Sequence, residues 1–370
     1  MYAIAERQLL EGITAILKRS LPTMMGRQAT IPAIRRLMYQ VVNRLIYQSN
    51  TLVAQMLAAA AREGIRDAIA AFNAMPPVPP TYGGGNGLVP PGRDIELRGD
   101  EPFDFSMTHW ERSARFIRED ITSELEDVRF RLTRLPEDVY KWIAPHGGIY
   151  QVRDNDVTSA QAQAMAWRVF TSEGIKGFTD RSGREWALSS YVEMAVRTAS
   201  MRAYNASHLA RMKALGIRYF TIPTSAHPCP QCFYWQGKVL TDGVIENPEI
   251  PVAGTIAEAT AAGLFHPNCE HVLIGVQPGV TVLPEPQEWT EELAQAYRDS
   301  QTQRRLEREV RKARRAFEYA YDPDSRVIAA QKLKRAQTRV REFVRTHDTA
   351  RQYRREQTDL SNPRIKLPQL

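Results

Sequence analysis

Apolar residues recur every three or four positions near the start of the chain, the spacing of one face of an α-helix. The positions concerned are Ile34, Leu37, Val41, Leu45, Leu52, Met56 and Ala60. The pattern runs on to Phe72, longer than most globular helices, and Pro32 suits a first helical turn. We therefore predict an elongated helix, or two stacked helices, beginning near Pro32.

A second apolar stripe predicts an amphipathic helix with a coiled-coil-like face. Thr108 and Glu111 have the spacing of a capping box, and Pro136 closes the pattern. The stripe between them has a near-heptad spacing and consists of Trp110, Ala114, Ile117, Ile121, Leu125, Val128, Leu132 and Leu135.

The rest of the chain alternates linker, mixed and helical patterns. Helical patterns at 160–170 and 189–215 precede a predicted strand at 218–222, and two apolar stripes separated by "DPDS" predict a helical hairpin. The fold class is therefore α+β and predominantly helical. The predicted segments are a helical arm at 1–75, a Pro/Gly-rich linker at 76–107, an amphipathic helix at 108–145, an α+β core at 146–285, a basic helical hairpin at 286–357 and a tail at 358–370.

Composition excludes several classes of protein. Three cysteines in 370 residues are too few for a disulfide framework, and Glu6, Arg7 and Glu11 interrupt any signal-peptide-like apolar stretch. Apolar runs are too short to cross a membrane. We expect a protein without a membrane span, assembled in the cytoplasm and soluble or part of a larger assembly.

Positive charge is concentrated near the C-terminus. The net charge is +7, and residues 301–357 hold 17 Lys and Arg against 8 Asp and Glu. Such a segment contacts nucleic acid or an acidic partner, or it is a solvated helix surface whose charges pair with Glu307 and Glu309. The candidate nucleic-acid-binding residues are Arg304, Arg305, Arg308, Arg311, Lys312, Arg314 and Arg315.

The stretch "AHPCPQCFYWQGKVL" contains the strongest candidate chemistry. Cys229 and Cys232 have C-x2-C spacing, and "HPNCEH" further on contains Cys269 and His271. Three thiolates and an imidazole from two turns fit a closed, tetrahedral, structural zinc site. His266 is the alternative fourth ligand, and His227 is a further substitute.

Other interpretations of these residues remain open. The cysteines could be small buried hydrophobic residues. A redox dithiol would need its C-x2-C at a helix N-terminus inside a βαβ unit, whereas "FYWQGKV" predicts a strand. "HWE" at 109–111 with "PCPQC" imitates the signature of a zinc-dependent nucleobase deaminase, although about 120 residues separate the two halves.

Several motifs in a fixed order resemble the phage minor capsid protein 2 family, which is related to the Mu F-like head morphogenesis proteins. They are "GFTDRSGREWALSSYVEMAVRTASMRAYNASHLARMKALGI", "WQGKVL", "GLFHPNCEH" and "QTQRRLEREVRKARRAF". The resemblance extends over about half of the chain, from Gly177 to Glu356, and includes the predicted α+β core.

This resemblance implies a non-enzymatic virion protein of a tailed phage, located in the head. Its implied partners are the major capsid protein, the portal protein or packaged double-stranded DNA, within a multi-subunit assembly. The matching structural positions are Gly177, Asp180, Gly183, Arg184, Trp186, Trp235, Gln236 and Gly237. This chain has Cys232 where the family usually has histidine, and Glu270 replaces an arginine, which favours a metal site with a variable ligand set.

Overall fold

The computed structural model shows a predominantly helical α+β protein, as predicted. It describes residues 1–20, 24–75, 109–139, 142, 159–176, 178–179, 185–225, 228–267, 269–285 and 287–358. The helices are α1 (Tyr2–Ser20), α2 (Met24–Asn73), α3 (His109–Leu132), α4 (Ser159–Glu173), α5 (Leu188–Ala214), α6 (Pro230–Phe233), α7 (Ile256–Ala261), α8 (Glu291–Glu318) and α9 (Pro323–Thr346). The strands are β1 (Phe178–Thr179), β2 (Glu185–Trp186), β3 (Tyr219–Thr221), β4 (Leu240–Thr241), β5 (Gly254–Thr255) and β6 (Ile274–Val276).

Among the described residues, no helix has both the length and the apolar character that crossing a membrane requires. A 3-10 turn at Tyr353–Glu356 follows α9. The predicted linker at 76–107 lies entirely outside the described residues.

The chain forms two compact units, each assembled from separate stretches of sequence. Unit 1 comprises Met1–Asn50, Ser123–Glu193 and Arg298–Leu370. Unit 2 comprises Thr51–Thr122 and Met194–Tyr297. The segment boundaries predicted from the sequence stay a prediction.

In unit 1, a buried tryptophan connects three helical segments. The Trp167 indole N–H lies 3.1 Å from Thr14 Oγ1 and 3.2 Å from the Tyr319 carbonyl oxygen, so α4 is fixed to α1 and to the end of α8. Buried Glu6 accepts hydrogen bonds from the N–H groups of Ile175 and Ser189. Its carboxylate thereby satisfies a free donor in the first turn of α5.

The C-terminal helical hairpin forms as the sequence predicts. Its two apolar stripes meet in a cluster with Leu306, Val310, Ala336 and Val340 at the centre. The break at "DPDS" becomes the start of α9, where the Asp322 side chain accepts a hydrogen bond from the Ser325 N–H at 2.9 Å and Pro323 occupies the first turn.

The long N-terminal stripe forms one continuous helix, but its predicted start is wrong. α2 begins at Met24, so Pro32 lies inside the helix rather than in its first turn. The helix continues through Pro32 despite the hydrogen bond that this residue cannot donate, and buried Ile34 and Met38 follow directly. The second stripe is confirmed from Ile117 to Leu132, because its apolar members in that range are buried.

Unit 2 contains a four-stranded sheet with strand order β5-β4-β3-β6. β3 pairs antiparallel with β4 and β6, and β4 pairs parallel with β5. All three β3 residues are buried, so this central strand is covered on both faces. Phe220 of β3 belongs to a hydrophobic core that also includes Cys232 and Cys269.

Candidate metal centre

The first turn of the site contains Cys229 and Cys232 at the short helix α6. The Cys232 N–H donates to Cys229 Sγ at 3.4 Å, and the Phe233 N–H donates to the Cys229 carbonyl at 3.0 Å. Pro230, between the cysteines, fixes the backbone φ angle at the first helical position. A tight turn with an N–H directed at sulfur therefore orients both thiols toward one side.

The second turn follows α7 and contains His266 and Cys269. The Cys269 N–H donates to the His266 carbonyl at 2.9 Å, which closes the turn. Phe265, immediately before it, has a φ of 58°, so the chain reverses sharply there at some conformational cost.

The two turns bring five side chains together, Cys229, Cys232, His266, Cys269 and His271, which we call the Cys/His cluster. Within it, two groups of three ligand atoms each lie within 4.8 Å of one another. One group is Cys229, Cys232 and His266, and the other is Cys232, Cys269 and His271. Cys232 belongs to both groups and therefore occupies the centre of the cluster.

Short contacts connect neighbouring members of the Cys/His cluster. Cys229 Sγ lies 3.1 Å from His266 Nε2, and Cys232 Sγ lies 3.7 Å from Cys269 Sγ. Cys269 Sγ lies 3.4 Å from His271 Nδ1. Cys232 and Cys269 are buried, whereas Cys229 is half-buried.

These contacts separate the protonation states of the three thiols. Hydrogen bonding with Cys232, supported by His266, lowers the pKa of Cys229 to about 4. Hydrogen bonding with Cys232, supported by His271, lowers the pKa of Cys269 to about 4. The same bonds raise the pKa of Cys232, and hydrogen bonding with Cys229 raises the pKa of His266 to about 9. These contacts therefore favour the thiolate form of Cys229 and Cys269, the form of cysteine that binds metal.

Sequence reasoning missed the part played by Gln236. The Ser225 N–H donates a hydrogen bond to Gln236 Oε1 at 3.3 Å. On the other side of the same amide, Gln236 Nε2 lies 2.9 Å from His271 Nε2. Gln236 was predicted only as a structural position of the "WQGK" element. The polar side chain next to a metal-ligand motif could have indicated a hydrogen bond to a histidine.

Other predicted structural positions lie around the sheet or outside the described residues. Gly237 has a φ of 69°, which explains glycine there, and the buried Trp235 ring lies against Gly254. Trp186 is in β2, paired with Phe178. Outside the described part of the chain lie Gly177, Asp180, Gly183, Arg184, His227, Asn268 and the side chains of His109 and Glu111.

The predicted nucleic-acid-binding residues all lie on α8 but differ in exposure. Arg304, Arg305 and Arg308 are exposed, whereas the members from Arg311 onward are partly or fully buried. Lys312 binds Glu173, and Arg315 donates to the Ser172 carbonyl. Burial lowers the pKa of Arg311 to about 10.

A basic groove of about 770 Å³ lies between α4, α8 and α9 in unit 1. Its floor is apolar, with Val169, Ala313 and Ala316 among the lining residues. Its cationic lining residues are Arg168, Lys312, Lys332, Lys334, Arg335 and Arg339, and only Lys312 of these was predicted as a binding residue.

Comparison with known proteins decides the family. The sequence model described as "Phage minor capsid protein 2" matches residues 130–345, more than half of the chain. The chain belongs to the phage minor capsid protein 2 family. The match includes the whole Cys/His cluster, the sheet and nearly all of the helical hairpin, and the family assignment predicted from the sequence is confirmed.

A curated relative supports the same family. The protein named "Structural protein" from Lactococcus phage LL-H is 29% identical to this chain over 194 residues, which are 49% of this chain and 51% of the relative. The chain thus spans about half the length of that relative. No solved structure matches.

Proposed function

We propose that this protein is a minor structural component of a tailed-phage head, attached to the major capsid protein, the portal protein or both. The family match over 130–345 carries this proposal. The relative's name, "Structural protein", supports a role in the particle rather than in catalysis.

The test is to determine whether the protein is part of purified particles. Particles of the phage that encodes this chain would be purified by density gradient, and their proteins quantified by mass spectrometry. We expect this chain at a fixed copy number well below that of the major capsid protein. Its presence only in lysate fractions without particles would contradict the proposal.

Within this role, we propose that the Cys/His cluster binds one structural zinc ion. The donor set of thiolate sulfurs and imidazole nitrogens is the set that structural zinc sites use. Two of the sulfurs already belong to the core of unit 2, so an ion there would crosslink the core from within. Binding free energy at such a site contributes directly to folding.

Metal analysis tests the zinc proposal. We expect one zinc ion per purified chain, and a loss of circular dichroism signal when a strong chelator removes it. Absence of zinc, or an unchanged spectrum after complete removal, would contradict a structural ion and would favour the interpretation that the cysteines are small hydrophobic core residues.

The basic groove supports a second candidate function, contact with packaged DNA. Among the described residues, Lys332, Lys334 and Arg335 form no ion pair, so their charges are available to phosphate groups. Exposed Arg304, Arg305 and Arg308 add positive charge on α8. Binding of this kind depends on phosphate charge and weakens steeply with salt.

A salt titration of duplex-DNA binding tests this candidate. Replacing Lys332, Lys334 and Arg335 by alanine should reduce the slope of log affinity against log salt by about 1 for each phosphate that the protein no longer neutralises. The control replaces Lys18 and Arg19, exposed cations at the end of α1, and should keep the wild-type slope. No DNA binding at low salt would remove this function.

A further inference from the structure

We infer that His266, and not His271, completes a Cys3His zinc site with Cys229, Cys232 and Cys269. His271 is then a positioning residue that donates a hydrogen bond to the Cys269 thiolate. This inference rests on the zinc part of the proposed function and specifies its ligands. It reverses the choice of His271 made from sequence spacing.

The two turns of the Cys/His cluster share one sequence pattern. The first is "CPQC" and the second is "HPNC", each with a ligand, a proline, one more residue and a cysteine. Each is closed by a hydrogen bond from the N–H of its last residue, to Cys229 Sγ in one and to the His266 carbonyl in the other. By this correspondence Cys229 matches His266 and Cys232 matches Cys269, whereas His271 lies two residues beyond the second turn.

The contacts of His266 leave its Nε2 for a metal ion. Nδ1 lies 2.9 Å from the Pro267 carbonyl oxygen, which can only accept, so Nδ1 carries a proton. Nε2 faces Cys229 Sγ at 3.1 Å, inside the cluster. A zinc ion would replace the proton shared by these two atoms, and a metal-bound histidine commonly donates its other N–H to a backbone carbonyl.

The contacts of His271 instead make Nδ1, the ring nitrogen that faces the cluster, a hydrogen-bond donor. The Ser225 backbone N–H can only donate, so the Gln236 atom facing it is the oxygen, and the Gln236 NH2 group must face His271. His271 Nε2 therefore accepts, and Nδ1 carries the ring proton and donates it to Cys269 Sγ at 3.4 Å. A metal on Nδ1 would leave the ring without any proton, unless Gln236 reversed and lost its bond to Ser225.

Both histidines thereby have defined and different roles. His266 supplies the fourth ligand, and His271 partly neutralises a coordinated thiolate and holds its orientation. Losing such an outer hydrogen bond typically lowers metal affinity by about 10–100-fold without changing the ligand set.

Histidine-to-cysteine variants distinguish the two roles while keeping a metal-binding side chain at each position. His266→Cys and His271→Cys would be purified as full-length zinc proteins and compared with wild type by X-ray absorption spectroscopy of the zinc. We expect three sulfurs and one nitrogen in wild type and in His271→Cys. We expect four sulfurs in His266→Cys.

A second variant tests the outer hydrogen bond. Gln236→Leu removes the amide that keeps His271 Nε2 an acceptor. We expect the zinc to keep three sulfur ligands and one nitrogen ligand. Zinc affinity, measured by competition with a chromophoric chelator, should fall by about 10–100-fold. An unchanged affinity would overturn the positioning role of His271.

Each result separates this inference from the zinc proposal itself. Four sulfurs in His271→Cys, with the wild-type shell kept in His266→Cys, would overturn the ligand assignment and leave the zinc proposal intact. A shell with two nitrogens in wild type would also overturn it. Wild-type protein without zinc would refute the zinc proposal and the assignment together.

Discussion

Gly64, in the middle of α2, lies against the backbone of α5. A Cβ atom built at Gly64 would overlap the Tyr204 carbonyl oxygen, and the Gly64 carbonyl accepts a hydrogen bond from His208 Nδ1–H at 3.1 Å. Glycine ordinarily weakens a helix interior by roughly 0.5–1 kcal/mol relative to alanine. Here close helix contact outweighs that preference.

We predict that Gly64→Ala destabilises the protein by about 1–3 kcal/mol, because the obstacle is backbone and cannot rotate away. Urea denaturation followed by circular dichroism measures the change. Gly12→Ala is the matched control: its Cβ would meet the Leu37 side chain, which can rotate. A stability gain in Gly64→Ala would show that the helices can separate at little cost.

Glu173 forms an ion pair within the fold with Lys312, one of the residues predicted to bind DNA. Burial alone would raise the pKa of Glu173, but hydrogen bonds from Lys312 and Lys176 outweigh it and lower the pKa below its ordinary value. A carboxyl group whose pKa is lower in the folded state stabilises the fold above its unfolded pKa. This contribution disappears as the pH falls through the folded pKa.

We therefore predict that Glu173→Gln lowers the free energy of unfolding at pH 7 by about 0.5–1 kcal/mol, the range of a partly exposed ion pair. The difference from wild type should shrink steadily as the pH falls below 4.5, the ordinary value for the group. Urea titrations at several pH values measure it, with Glu288→Gln on an exposed loop as control. A difference independent of pH would mean that charge does not cause it.

At the scale of helices and strands, hydrophobic periodicity predicted the helices that bury one apolar face. The stripes of α2, α3, α8 and α9 were identified because each helix buries one face, and burial selects apolar residues at helical spacing. The sheet was mostly missed: β3 was predicted, but the strand predicted at "FYWQGKV" is wrong, because Phe233 ends α6 and a turn follows it. The remaining strands are very short and carry no alternating pattern. The start of α2 was predicted wrongly from Pro32, because proline is common in the first turn of a helix but is not confined to it.

The N-terminus of α9 gives a prediction for a single element. Asp322→Ala removes the side chain that accepts from the Ser325 N–H, and we expect a loss of about 0.5–2 kcal/mol. Thermal denaturation measures it, and Asp322→Asn should recover most of the loss because its amide oxygen can also cap. Glu342→Ala, on an exposed face of α9, should change little.

At the scale of the whole molecule, the zinc proposal predicts a local effect. If an ion crosslinks the core of unit 2, chelation should increase hydrogen exchange in β3, β4 and the two cysteine turns. The α8–α9 hairpin has its own apolar cluster in unit 1 and should keep its protection. Hydrogen exchange with mass spectrometry resolves these regions, and uniform loss of protection would contradict a local crosslink.

The sequence predicted which residues form the Cys/His cluster but not which role each histidine has in it. The C-x2-C spacing, and a third Cys between two histidines, locate the candidate ligands on two turns. The choice between His266 and His271 depends on the partners of each ring, and Gln236 and Ser225 come near His271 only through the fold. Spacing contains no information on tautomers.

Unit 1 brings together the first 50 residues and the stretch from Arg298 onward. During synthesis α1 therefore leaves the ribosome long before Tyr319, which Trp167 joins to it. At ordinary elongation rates of roughly 5–20 residues per second, the delay across the roughly 300 residues between α1 and Tyr319 is about 15–60 s. For that time the part of α1 beside Trp167 lacks its partner at the end of α8, which gives a host chaperone time to bind it.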